Sequence, residues 1–444
     1  MRAAWPRGRG NVRQLFQHLS IAGSAAFVIA AGHPSCGFAQ SAVFEAPGLR
    51  AYVEQVLTRN AGLRAAGARL VAAERRIAPA GALPDPMVTF GAMSIPFTSF
   101  DVDREAMTQF PVMVQQRFPF PGKQAAATAV ARADSMVADH SREAVEVDLV
   151  AAAVRVYYGL ASARTAHQVW RGRVALADQA IAVAHVRYET GAAPQTDLLR
   201  ARLRRAELDE ERRQLDAAVA ATEARLDALR AGRGDPVTTP VLVSTTAVPG
   251  LRGDTVPSAS ELAKAMVQRN PRLRTTGAAV ERAERTVRVF AIAGRPDFTV
   301  GLQAAARFGD REPFVTGLVG LSIPLYARRK QGPAADAARQ EAQAAGQRYE
   351  DLVARLRAEL EAIAADLEAL RLRLLQTADE IIPLAEAASA SALQRYQVGA
   401  LEFGAVLDGQ DALFRAQLRL ARLIADYGAA WGDLAALIGE EWYR

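Results

Sequence analysis

Two periodicities divide this chain. In residues 297–308, Phe298, Val300, Leu302, Ala304, Ala306 and Phe308 alternate with Asp297, Thr299, Gly301, Gln303, Ala305 and Arg307. In 314–325, Val315, Val319, Leu321, Ile323 and Leu325 share one side. In 107–118, Phe110, Val112, Val114 and Phe118 stand opposite Gln109, Gln115 and Arg117. A period of two predicts β-strands with one apolar face. A fourth strand, over 87–95, alternates less cleanly. Segments of about 10 residues with this pattern fit strands whose apolar face meets lipid, and equally a sheet packed on helices.

The remaining pattern is helical. Leu352, Leu356, Leu360, Ile363, Leu367, Leu370 and Leu374 step by mostly alternating fours and threes, as do Leu413, Leu420, Ile424, Tyr427, Trp431, Leu434 and Ile438. Such stripes pack helix on helix. Ala125 to Glu189 contains no proline, which at about 1.5 Å per residue predicts a helix of roughly 100 Å. Elsewhere globular helices average about 11–12 residues.

These elements occur twice. Arg59-Asn60 returns as Arg269-Asn270, and Ala73-Glu74-Arg75 as Ala283-Glu284-Arg285, at an offset of 210. Arg187-Tyr188 and Gly191-Ala192 return as Arg395-Tyr396 and Gly399-Ala400, at an offset of 208. The expected units are 50–232 and 258–440, joined by a Gly-, Pro- and Thr-bearing linker at 233–257. Each unit reads as a first helix (49–78 and 258–291), two strands, a very long helix, a short break and a returning helix.

The N-terminus changes the charge argument. Arg2, Arg7, Arg9 and Arg13 precede an apolar run from Leu19 to Gly32, and Gly37-Phe38-Ala39 offers small residues for cleavage before Gln40. Residues 1–39 therefore read as a secretory signal. Its four Arg account for most of the formal charge of +6, so the rest is nearly neutral and gives no reason to expect nucleic acid as a partner. The single cysteine, Cys36, falls inside the leader, where His33-Pro34-Ser35 makes a poor lipid-attachment context. Without other cysteines the exported chain has no disulfide and no thiolate metal site. Past residue 40 no run of about 18 apolar residues predicts a spanning helix.

Each expected hairpin runs into helices at both ends, so the helices lie on one side of the sheet and its turns, near 96–106 and 309–313, on the other. Four strands cannot close a barrel, and open edges are not tolerated in lipid. Symmetric copies would have to share one barrel. The order signal, helix, hairpin, long helix, tip and helix, used twice, resembles the TolC outer-membrane efflux family over essentially the whole exported chain. The residues that carry the likeness are Leu83-Pro84-Asp85-Pro86, Arg117-Phe118-Pro119-Phe120-Pro121-Gly122-Lys123, Arg187-Tyr188-Glu189-Thr190-Gly191 and Arg395-Tyr396-Gln397-Val398-Gly399. The resemblance implies a mainly α fold with a β-barrel contribution. In it a homotrimer builds a 12-stranded barrel in outer-membrane lipid on a long periplasmic α-helical tunnel. It implies passive conduction, no cofactor, and two partners: a periplasmic adaptor (membrane fusion protein) and an inner-membrane pump of the resistance–nodulation–division or another type.

The resemblance also implies site residues. Asp197 in the first tip matches a carboxylate that ties to a tyrosine of the second, here Tyr396, to close the periplasmic gate. The plainer alternative is that Asp197 caps the returning helix. Asp408 matches one of two aspartates at the entrance; the other position is Ala405 here. Gly191 and Gly399 mark the tips where an adaptor docks. The string Glu105-Ala106-Met107-Thr108-Gln109 resembles the heavy-metal branch. Met87, Met93, Met107 and Met113 all lie in the first hairpin at odd positions, opposite Phe110, Val112 and Val114, hence on the lumen face. Folding about residue 100 pairs Met87 with Met113 and Met93 with Met107, and thioether pairs suit soft ions. Met as an adaptable lumen filler is the alternative, as is drug or small-organic efflux, or type I secretion, through the same fold.

Other classes fare poorly. His140, His167 and His185 form no metal-binding pair, and there is no nucleophile elbow or phosphate loop. A periplasmic adaptor carries one helical hairpin between split β-domains, whereas this chain has two units with amphipathic strands.

Overall fold

The computed structural model describes residues 42–95, 100, 102–103, 105–244, 258–308 and 310–443. The expected leader with its cleavage point and Cys36, most of the first hairpin turn, and linker residues 245–257 lie outside the described residues. The order is α1 (Leu49–Arg59), α2 (Ala61–Arg75), α3 (Ile77–Gly81), β1 (Met87–Phe90), β2 (Phe110–Phe118), α4 (Lys123–Glu189) and α5 (Gln195–Leu229). Then come α6 (Ala259–Arg269), α7 (Pro271–Ile292), β3 (Asp297–Ala306), β4 (Phe314–Ser322), α8 (Gln331–Gln376), α9 (Ile382–Gln397) and α10 (Phe403–Ile438).

The first helix of each half is not continuous, contrary to the sequence expectation. Asn60 and Asn270 stand in extended conformation, with ψ of 125° and 119°. Each side chain accepts from the amide three residues on, Leu63 or Leu273, at 3.0 Å, and so caps a new helix. Its Nδ2 donates to a carbonyl of the returning helix: Leu229 at 2.8 Å for Asn60, Leu437 at 2.7 Å for Asn270. The helical period passes through both breaks, which is why the pattern hid them.

Helix α4 is one run of 67 residues. Its counterpart is α8 (46 residues), a π-helical turn at Thr377–Ile381 and α9, without a gap. Pro383 explains the turn: it lacks the N–H that an unbroken ladder needs, and the wider turn absorbs the fault. The predicted stripes are the core. Leu356, Leu360, Leu367 and Leu374 are buried with Leu420, Ile424, Tyr427, Trp431, Leu434 and Ile438, and α1 adds Leu49, Tyr52, Val53 and Val56. Where α10 crosses α4, Gly428 permits the approach: a Cβ there would lie 2.6 Å from the Tyr158 ring. Tyr157 and Tyr158 donate to the carbonyls of Pro47 (2.5 Å) and Val43 (2.6 Å), fixing the start of the described chain to α4.

The four strands form one antiparallel sheet in the order β1-β2-β3-β4. Alternation sorts its faces as predicted. Val112, Val114, Leu302 and Val319 share one face, where Phe90 is 80% and Val319 84% exposed. Met113, Gln115, Gln303 and Thr316 occupy the other. Among the described residues β1 and β4 pair on one side only, so both edges of the sheet are open there. The methionine pairing is corrected by the register. Met87 lies opposite Gln115, Met113 opposite Thr89 and Met93 opposite Gln109, while Met107 sits in a turn. At the helix end, Asp297 holds the junction. It accepts from Arg117 (2.5 Å), Lys123 (2.8 Å) and the Phe120 amide (2.9 Å), so the Arg117–Lys123 string is a strand-to-helix clasp.

Past α10, Gly439 takes φ of 71° and Glu440 turns in beside Arg269. Burial pushes the Glu440 carboxyl up to about 7, against the opposing charge of Arg269. A raised folded-state value means the folded protein holds the proton more tightly. The stabilisation is complete below the ordinary carboxyl range and is lost as pH rises through about 7. Melting temperature is therefore expected to decline from pH 5 to pH 8, and Glu440→Gln to flatten part of that slope. An unchanged slope in the variant would remove Glu440 from the account.

Candidate functional site

The helical hairpins end in two tips built alike. At the first, the Gly191 amide donates to Tyr188 O (3.0 Å) and the Ala192 amide to Arg187 O (2.8 Å). At the second, the Gly399 amide donates to Tyr396 O (3.0 Å) and the Ala400 amide to Arg395 O (2.9 Å). Both are the paired-bond helix stop that needs a left-handed residue. Gly191 and Gly399 supply it, with φ of 69° and 80°. Nothing lies within 4 Å of a Cβ at Gly191, so conformation rather than space demands glycine there.

Asp197 and Tyr396 are brought together. The Tyr396 hydroxyl donates to Asp197 Oδ2 at 3.2 Å, and Tyr396 is 1% exposed. A small core surrounds it: Ala180, Ala184, Leu198, Ala201, Phe403 and Val406. Burial above all, then the charge of Asp197 and its hydrogen bond, push the Tyr396 hydroxyl up to about 12, with Arg187 opposing. Asp197 does not occupy the N-cap position. Pro194 holds that position at the start of α5 without a side-chain cap, and Asp197 stands in the first turn, where a carboxylate faces the positive end of the helix. Asp408 does not join the contact. It is exposed on α10, with no hydrogen bond or ion pair among the described residues.

Sequence reasoning missed Arg187. Its guanidinium lies 4.6 Å from the Tyr396 ring centre, and it donates to the Tyr396 carbonyl and to Ala192 O (3.0 Å). The recurrence of Arg-Tyr at both tips was the available signal. Also missed was an ionic cluster further along the same helices. Arg173, only 8% exposed, binds Glu211 through both oxygens (2.7 and 2.8 Å) and Asp411 at 3.2 Å. Arg204 binds Asp411 as well, and Glu207 at 2.8 Å. The group joins α4, α5 and α10, three segments no local pattern links. His140 lies beside Asp139 and Glu143, but Glu143 is engaged by Arg274 at 2.8 Å.

No described helix is long and apolar enough to cross a membrane. Comparison with curated proteins gives no match. Among solved structures the chain is similar to the outer-membrane channel OprN (20% identity, TM-score 0.75, covering 91% of this chain and 92% of that one). It is similar also to CusC (17%, 0.77, 89% and 92%) and to the outer membrane protein VceC of Vibrio cholerae (17%, 0.73, 91% and 99%). At these identities the likeness carries the fold. The family profile described as outer membrane efflux protein matches residues 52–232 and 262–440. With most of its described length matched, the chain belongs to the outer membrane efflux protein family, whose members are channels of the outer membrane and not enzymes.

Proposed function

We propose that three copies of this chain form the exit duct of a tripartite efflux assembly. Two units, 50–232 and 258–440, joined by the linker 233–257, each contribute one hairpin to a shared 12-stranded barrel, and their long helices line a periplasmic tunnel. The observation that carries this reading is the open sheet, with one bare apolar face and two free edges. In water such a face and such edges invite aggregation; in lipid the face is satisfied and closure with other copies satisfies the edges. Residues 1–39 act as the export signal. The channel conducts passively, and energy comes from an inner-membrane pump through a periplasmic adaptor. Fractionation tests the assembly. The protein is expected in the outer membrane as a trimer that dissociates on heating; a soluble monomer would overturn the reading.

The adaptor docks at the tips, near 188–199 and 396–407. Gly191→Trp forces a β-carbon into left-handed backbone, a strain of about 1–2 kcal/mol for an L-residue. Export is expected to cease while trimers persist, and Gly399→Trp should behave alike. Retained export in both would place docking elsewhere.

For the cargo, the reading is heavy-metal cations. It is supported by the Glu105–Gln109 string and by Met87 and Met113 on the polar face of the sheet, where thioethers can meet soft ions without pairing. A deletion strain is expected to lose tolerance to copper, silver, zinc or cobalt. Sensitivity to antibiotics alone would make the cargo small organic molecules.

A further inference from the structure

The two helical hairpins differ in chemistry at positions that the sequence offset makes equivalent. Helix α4 runs from Lys123 to Glu189 and the α8–α9 run from Gln331 to Gln397; α5 and α10 begin at Gln195 and Phe403. All these boundaries stand 208 apart. Inside the chain the helices pack in a row: α5 on α4, α4 on α10, and α10 on α8 and α9. The α4–α10 contact carries the Arg173–Asp411 pair, which Arg204 of α5 joins.

Shifting by 208 carries α4 onto α8–α9, and the reverse shift carries α10 onto α5. The α4–α10 contact thus has a counterpart between α8–α9 and an α5. Those helices stand at opposite ends of the row, so the counterpart contact is made with a second copy. The residues agree. Arg173 corresponds to Ile381, Arg204 to Ala412 and Asp411 to Leu203. The two arginines and the aspartate that join them turn apolar together, which preserves a contact while changing its chemistry; the outer glutamates Glu207 and Glu211 correspond to Arg415 and Arg419, which are exposed to water and strand no buried charge. Leu203 is 61% and Leu199 52% exposed, bare leucines on a helix rich in Arg and Glu. The counterpart of Leu199 is Leu407, which packs against the tip core.

We infer that α5 of one copy packs against the α8–α9 helix of the next, Leu203 on Ile381, as an apolar seam. The tunnel then alternates an ionic seam within each chain and an apolar seam between chains. A head-to-tail contact of this kind closes into a ring. The inference rests on the trimeric reading above and adds the residues and chemistry of the seam.

Cysteine pairing tests it. Cys36 is the only cysteine in the sequence, so Cys36→Ser gives a clean background. In outer membranes, Leu203→Cys with Ile381→Cys is expected to yield covalent dimers and trimers under mild oxidation, with a 203–381 disulfide peptide found by mass spectrometry. Neither single cysteine should do so. A heat-dissociable trimer without that cross-link overturns the seam and leaves the trimer standing; absence of any trimer overturns both. A charge transplant gives an independent reading. Leu203→Asp alone is expected to dissociate the trimer, and adding Ile381→Arg, which copies the Arg173–Asp411 pair, to restore it. A double variant no better than the single would break the equivalence.

Discussion

Replacing Asn270 by Ala is expected to cost about 2–4 kcal/mol, the sum of a lost helix cap and a buried carbonyl left without its donor. Asn270 is 1% exposed. One amide group does two things there. Its oxygen caps α7 at Leu273, and its nitrogen ties that helix to the last turn of α10 at Leu437. Asn60→Ala makes the same two losses at a half-buried site, where water can repay part of them, so its cost should be smaller. Thermal melting of the detergent-solubilised protein, followed by circular dichroism, orders the two variants. Equal shifts would show that burial does not govern this joint; no shift at Asn270 would show that the tie to Leu437 is dispensable.

The same asparagines show what a sequence reveals and what it withholds. Arg59-Asn60 and Arg269-Asn270 were legible as marks of duplication, yet their work as joints was not. Caps leave the apolar period intact, and the carbonyls they reach, Leu229 and Leu437, lie far away in sequence. The leucine stripes of α8 and α10 and the alternation of β2, β3 and β4 were legible because each is a period within one segment. Register is a relation between segments. Pairing Met87 with Met113 or with Gln115 differs by two residues, so every side chain keeps its face. Periodicity therefore could not choose between the two: the register separates the methionine pairs, while Met87 and Met113 do lie on the face opposite Val112 and Val114. The Arg173–Asp411–Arg204 cluster was hidden for the same reason, since its three charges come from three helices.

Tyr396→Phe and Asp197→Ala are expected to raise the conductance of the reconstituted channel. Hydrogen bonds to charged groups contribute about 1.5–3 kcal/mol, or roughly ten- to hundredfold in a closed-to-open ratio. Tyr396→Phe is the gentler change, because the ring keeps Phe403 at 5.2 Å and the Arg187 guanidinium over its face. Asp197→Ala leaves the tyrosine hydroxyl buried and unpaired, so it should open the channel further. Arg187→Ala removes both the charge over the ring and the bond to the Tyr396 carbonyl, and should loosen the second tip as a unit. The pH dependence has a definite sign. The Tyr396 hydroxyl, pushed up to about 12, contributes fully below its ordinary value and is lost only as pH rises through about 12. Its ionisation leaves the closed state untouched at neutral pH. Asp408 is the control, since it is exposed and outside the contact: Asp408→Ala should alter cation preference at the entrance without opening it. Planar-bilayer recordings separate these outcomes. Unchanged conductance in both Tyr396→Phe and Asp197→Ala would make the contact part of the packing of the tips, and the gate would have to be sought elsewhere.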